Sequence, residues 1–101
     1  MNTTIEEHED KFLVTFDGEL DTAAAAQASE MLQPLYAASG KDVVIDCSKL
    51  EYIASSGLRI LVSVVKGAKA GASKVVLRHV DDEILDVLRM TGFTTLFQIE
   101  D

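Results

Sequence analysis

The 101-residue chain has no tryptophan, one cysteine, one proline and only two histidines. A lone Cys47 excludes an intramolecular disulfide, and no Cys/His spacing resembles a zinc site, so no metal centre is expected. Basic residues are also scarce. Nine Lys and Arg against 17 Asp and Glu leave a formal net charge of -8. That balance argues against direct nucleic-acid binding, because phosphate contacts would compete with the surrounding acids. No apolar run approaches the ~18 residues of a membrane helix, so membrane insertion is not expected. The first ten residues hold four acids and no base, unlike a signal or transit peptide. These absences lead to the expectation of a cytoplasmic protein.

What is present suits a folded domain. Hydrophobic residues make up 48% and charged residues 26%, and ~100–200 residues is the usual span of one core. Residues 1–101 are therefore read as a single domain. Charge is segregated along it. Residues 1–40 carry eight acids and one Lys, residues 41–80 seven bases and three acids, and residues 81–101 six acids and one Arg. The central third could offer a basic face to a partner, although isolated surface charges usually only solvate a helix.

Strand and helix patterns alternate. Phe12, Val14 and Phe16 have the period of a half-buried strand over Lys11–Phe16, with a shorter strand near Thr3–Glu7 before it. Asp17-Gly18-Glu19 reads as a turn. Asp21 or Thr22 then caps a helix through Ala38, with Ala28, Leu32 and Leu35 on one face and Pro34 set to kink or divide it. Val43-Val44-Ile45 and Val75-Val76-Leu77 read as strands covered on both faces. Between them, Leu58, Leu61, Val62, Val65 and Ala68 form one stripe of a helix from Leu58 to Ala70, opposite Arg59, Ser63 and Lys66. Asp81-Asp82-Glu83 opens a further helix with acids where its dipole favours them, and Thr95–Ile99 reads as a last strand. The fold class is α/β: a mixed, mostly parallel sheet of four to five strands with flanking helices.

Few residues suit catalysis. His8 and His79 lack a positioned partner, and Cys47 follows a buried strand, where a packed thiol is the expected state. Gly40-Lys41 lacks the upstream glycine of a phosphate loop, and no GxGxxG follows a strand. No enzyme activity or cofactor is expected. The informative run is Tyr52-Ile53-Ala54-Ser55-Ser56-Gly57-Leu58-Arg59, at the junction of a strand and the central helix. Ser55 and Ser56 can serve as helix caps, and Gly57 can admit a partner to the backbone. The same geometry equally suits phosphorylation, because a phosphate at a helix start meets free N–H donors and the positive end of the dipole. Ile60 and Val64 widen the apolar arc of this helix. They are either core or an exposed docking strip, beside which Arg59 and Lys66 would favour an acidic partner.

The run Leu50-Glu51-Tyr52-Ile53-Ala54-Ser55-Ser56-Gly57-Leu58 resembles the signature of STAS domains, the sulfate-transporter and anti-sigma-factor-antagonist modules. Phe16-Asp17-Gly18-Glu19-Leu20-Asp21, Val43-Val44-Ile45-Asp46 and Val87-Leu88-Arg89-Met90-Thr91-Gly92-Phe93 resemble further family segments, in the same order. The resemblance implies a non-enzymatic anti-sigma factor antagonist. Such a protein binds a serine-kinase anti-sigma factor, thereby freeing the sigma factor, and lets go once phosphorylated; a serine phosphatase resets it. The serine immediately before the glycine is the target, which here is Ser56. The resemblance places Asp21 near Ser56 and its unmodified neighbour Ser55 on the kinase-binding surface, and Gly57, Leu58, Arg59, Ile60 and Ser63 are taken with them as partner-binding residues. One departure is plain: Ala54 stands where kinase-regulated members often carry Asp. The alternative is a non-phosphorylated STAS subunit of an ABC-type lipid transport complex, in which Ser56 is an ordinary cap or contact. A small α/β enzyme or nucleotide binder has no acid–base pair or cofactor loop to support it.

Overall fold

A computed structural model describes residues 1–36, 40–95 and 97–100. In chain order the elements are β1 (Asn2–Glu7), β2 (Lys11–Leu20), α1 (Thr22–Met31), α2 (Gln33–Tyr36), β3 (Asp42–Ile53), α3 (Ser55–Ala70), β4 (Val75–Arg78), α4 (Asp82–Met90) and β5 (Gln98–Glu100). A single 3-10 turn, Phe93–Thr95, precedes β5. The five strands lie in sequence order, β1-β2-β3-β4-β5. Only β1 and β2 pair antiparallel; the other three pairings are parallel.

This order decides the layering. Each parallel crossover advances the sheet in the same direction, and right-handed connections then place every helix on one face. Burial along β3 agrees: Val43, Ile45, Cys47, Leu50 and Ile53 join the core cluster, while Val44 between them does not. Phe16, Leu20, Ile45, Leu77 and Leu88 are fully enclosed or nearly so in the space between sheet and helices.

Several local expectations are corrected. Asp17-Gly18-Glu19 is not a turn but the irregular end of β2, with register shifts against β3 between Thr15 and Asp17 and between Gly18 and Glu19. Gly18 takes a φ of +116°, which glycine alone adopts without strain, so the strand bulges and continues. β3 likewise runs on past Cys47 to Ile53, carrying the chain directly to the start of α3. The helix after Asp21 does divide before Pro34: α1 ends at Met31, and Leu35 N–H bonds back to the Leu32 carbonyl in α2. The expected end at Ala38 lies outside the described residues. Ala28, Leu32 and Leu35 are all buried. The last strand is shorter and later than expected, because Phe93–Thr95 first forms the 3-10 turn.

Ile60 and Val64 do not form an exposed strip. Their relative exposures are 7% and 0%, and α1 and α2 pack across this side of α3. The helix therefore buries a wider arc than a single stripe. Arg59, Ser63 and Lys66 remain exposed on its far side.

Candidate functional site at the start of the central helix

The site forms where β2 and β3 end and α1 and α3 begin. Ala54 N–H donates to the Leu20 carbonyl at 2.9 Å, which ties the two strand ends together. Each strand then feeds a helix, so the first turns of α1 and α3 lie side by side. Asp21 caps α1: its carboxylate accepts from Ala24 N–H at 2.9 Å, in the extended conformation an N-cap requires.

The start of α3 differs from the expectation that its serines are caps. The N-cap is Ala54, which has no side chain to offer, and no side-chain cap bond forms. Ser55 and Ser56 already belong to the first turn. Their hydroxyls are thus free of helix capping, with Ser55 exposed and Ser56 partly exposed. Ser56 Oγ donates to Thr22 Oγ1 across the gap between the helices, at 3.3 Å. That is long for a hydroxyl pair and leaves the Ser56 oxygen weakly held.

Gly57 has a different task from the one its position suggested. It is buried, and a Cβ on it would stand 2.8 Å from Leu20 Cγ and 3.0 Å from Ile53 Cγ1. Its bareness lets α3 press onto the ends of β2 and β3, rather than admitting a partner to the backbone. Leu58 and Ile60 are core residues too, so neither presents its side chain to a partner. Of the residues that the sequence grouped together, Asp21, Ser55, Ser56, Arg59 and Ser63 have side chains that reach the surface. Ser63 Oγ donates to the Arg59 carbonyl at 3.0 Å, within the helix itself.

An open cleft of about 450 Å³ adjoins Asp21 and includes Glu19, Gln27 and Glu51 in its walls. Three carboxylates thus border it. Sequence reasoning missed this cleft because Glu19 and Asp21 come from the acidic first third, whereas Glu51 belongs to the basic central one. Segregated charge along the chain is mixed again by folding.

Thiol chemistry is remote from this surface. Burial, with the neighbouring Asp46 charge adding to it, pushes the Cys47 thiol up to about 12. Burial would also raise Asp46, but the Ser48 hydrogen bonds and the charges of His79 and Arg78 outweigh it and hold that carboxyl below its ordinary value.

The hydroxyls of Ser55 and Ser56 thus reach the surface where the first turns of α1 and α3 meet. The chain belongs to the STAS domain family, whose model matches residues 2–101. It is similar to the anti-sigma-B factor antagonist of Staphylococcus aureus, with 27% identity over 103 residues that cover 100% of this chain and 95% of the relative. The solved structure of an anti-sigma factor antagonist from Mycobacterium paratuberculosis superposes with a TM-score of 0.80 at 28% identity, covering 98% of this chain and 84% of that one. An anti-sigma-factor antagonist (STAS) domain protein from Planctomyces limnophilus shares the fold, with a TM-score of 0.84 at 20% identity over 98% of this chain and 89% of that one. Among the described residues no helix is long and apolar enough to cross a membrane.

Proposed function

We propose that this protein is an anti-sigma factor antagonist whose hold on its partner is switched by phosphorylation of Ser56. The partner is an anti-sigma factor that is itself a serine kinase, and a serine phosphatase reverses the modification. The protein is a binding component and not an enzyme. The observation that carries this reading is the state of Ser56: a partly exposed hydroxyl in the first turn of α3, spared from capping and held only by a long bond to Thr22.

A phosphate on Ser56 would sit at the positive end of α3 and add about -1.5 to -2 charges without displacing a cap. The domain would tolerate it. The partner would not, because the added charge repels the acidic surface that exposed Arg59 and Lys66 favour.

Incubation with the cognate kinase and ATP, followed by mapping of phosphate by mass spectrometry, tests the assignment. Incorporation at Ser56 that disappears in Ser56→Ala is expected. No phosphate on the wild type, or equal labelling of Ser56→Ala, would overturn it.

A further inference from the structure

A second cleft, of about 340 Å³, opens between the last turns of α3, the start of β4 and the approach to β5. Val65, Val75 and Phe97 supply apolar wall, and Lys69 and Lys74 stand at its border. Ser73 also lines it. This is the only buried polar side chain among the described residues, with 8% exposure, and its Oγ has no hydrogen-bond partner.

An orphaned buried hydroxyl is costly, and alanine would avoid the cost at this position. The backbone does not need the hydroxyl. Ser73 N–H already bonds to the Ala68 carbonyl at 2.7 Å, and Gly71 and Ala72 N–H groups take the carbonyls of Gly67, Ala68 and Lys69. The end of α3 is thus satisfied by main chain alone. Neither Lys69 nor Lys74 makes an ion pair among the described residues. Helix-dipole attraction accounts for Lys69 in the last turn of α3, but Lys74 lies beyond it.

Two unpaired cations, one orphaned donor and an apolar wall converge on a space at the small end of ligand-site volumes. We infer that this cleft binds a small organic carboxylate. Its carboxylate would lie between Lys69 and Lys74 and accept from the Ser73 hydroxyl, and its short apolar tail would cover Val65, Val75 and Phe97. A bare inorganic anion would leave that apolar wall unmatched.

The test is an amide-resolved NMR titration of the full chain with hexanoate, with hexanol and inorganic phosphate as comparison arms. Saturating shifts centred on Val65, Ser73, Val75 and Phe97 are expected, with an affinity on the order of millimolar for so few ligand atoms. Hexanol and phosphate should each bind at least about five-fold more weakly, as should hexanoate to a Lys69→Gln/Lys74→Gln variant with a native spectrum. Ser73→Ala should weaken hexanoate binding while thermal stability holds or rises. Scattered or non-saturating shifts would overturn the inference. So would hexanol binding as tightly as hexanoate (an apolar patch), phosphate doing so (a plain anion site), or lysine variants with unchanged affinity. The outcome is independent of Ser56 phosphorylation, which is read at the other end of α3.

Discussion

The Ser56 hydroxyl meets the Thr22 hydroxyl at 3.3 Å, so the first turns of α3 and α1 touch through a single weak side-chain bond. The two residues are brought together by the strands before them, whose ends are joined by the bond from Ala54 to Leu20. Ser56 can therefore be changed at little cost to the fold. Ser56→Ala should alter unfolding free energy by less than about 1 kcal/mol in denaturant titration. Ser56→Asp should stay equally folded and lose partner affinity by about ten-fold or more in calorimetry, through repulsion at the modified surface. Unchanged affinity for the aspartate variant would count against the switch.

Gly57, one residue on, is the opposite case. An added methyl meets Leu20 and Ile53 at 2.8–3.0 Å, and Leu20 is completely buried. Gly57→Ala should destabilise by about 1–3 kcal/mol, with melting lowered by roughly 4–8 °C for each kcal/mol. Combining it with Leu20→Ala should cost less than the sum of the two changes, since the second makes room for the first. Additive losses would show that the contact is not what requires glycine.

Ala54 occupies an N-cap with suitable backbone angles, φ -86° and ψ 168°, but no acceptor. Ala54→Asp should therefore stabilise the domain by about 1 kcal/mol through a bond to a first-turn N–H. The same change supplies the acid that kinase-regulated members of the family often carry there. A rise in melting temperature tests the cap, and a faster phosphorylation rate at Ser56 tests the recognition, as two separate readings.

Cys47 should resist alkylation in the native state and react only on unfolding, because its buried thiol ionises near about 12. The folded value lies above the ordinary 9.0. Stability is therefore unaffected by this group below pH 9 and falls as pH rises from there towards 12. There the unfolded chain gives up the proton that the folded chain keeps, at up to about 1.4 kcal/mol per pH unit. Cys47→Ala should remove that alkaline slope in denaturant titrations across this range. A slope that persists unchanged would assign it to other groups.

Much of the fold was legible in the chain. The β-branched runs at Val43–Ile45 and Val75–Leu77, and the period of Leu58, Leu61, Val65 and Ala68, are local patterns that report which side of each element is apolar. Pro34 marked a helix division because a missing N–H acts on its own turn. The errors were of another kind. Asp17-Gly18-Glu19 has turn chemistry, yet pairing with Lys49, Leu50 and Tyr52 on β3 keeps it in the sheet. Ser55 and Ser56 have capping chemistry, yet Ala54 takes the N-cap position and both serines already lie in the first turn. Nothing local distinguishes these outcomes, since both depend on partners supplied by distant segments.

The sequence by itself determined the class of fold, the family and the serine at the head of α3, because hydrophobic period, helix punctuation and motif order are all properties of neighbouring residues. Only the tertiary structure decided which members of that motif face outward. Gly57, Leu58 and Ile60 are spent on the core, and Ser56 is left partly exposed against Thr22, because sheet order and right-handed crossovers bring α1 against α3. The same packing changed the meaning of the charge. A deficit of basic residues was visible from the start, but Thr22 of the acidic first third meets Ser56 of the basic central one only once β2 and β3 end side by side.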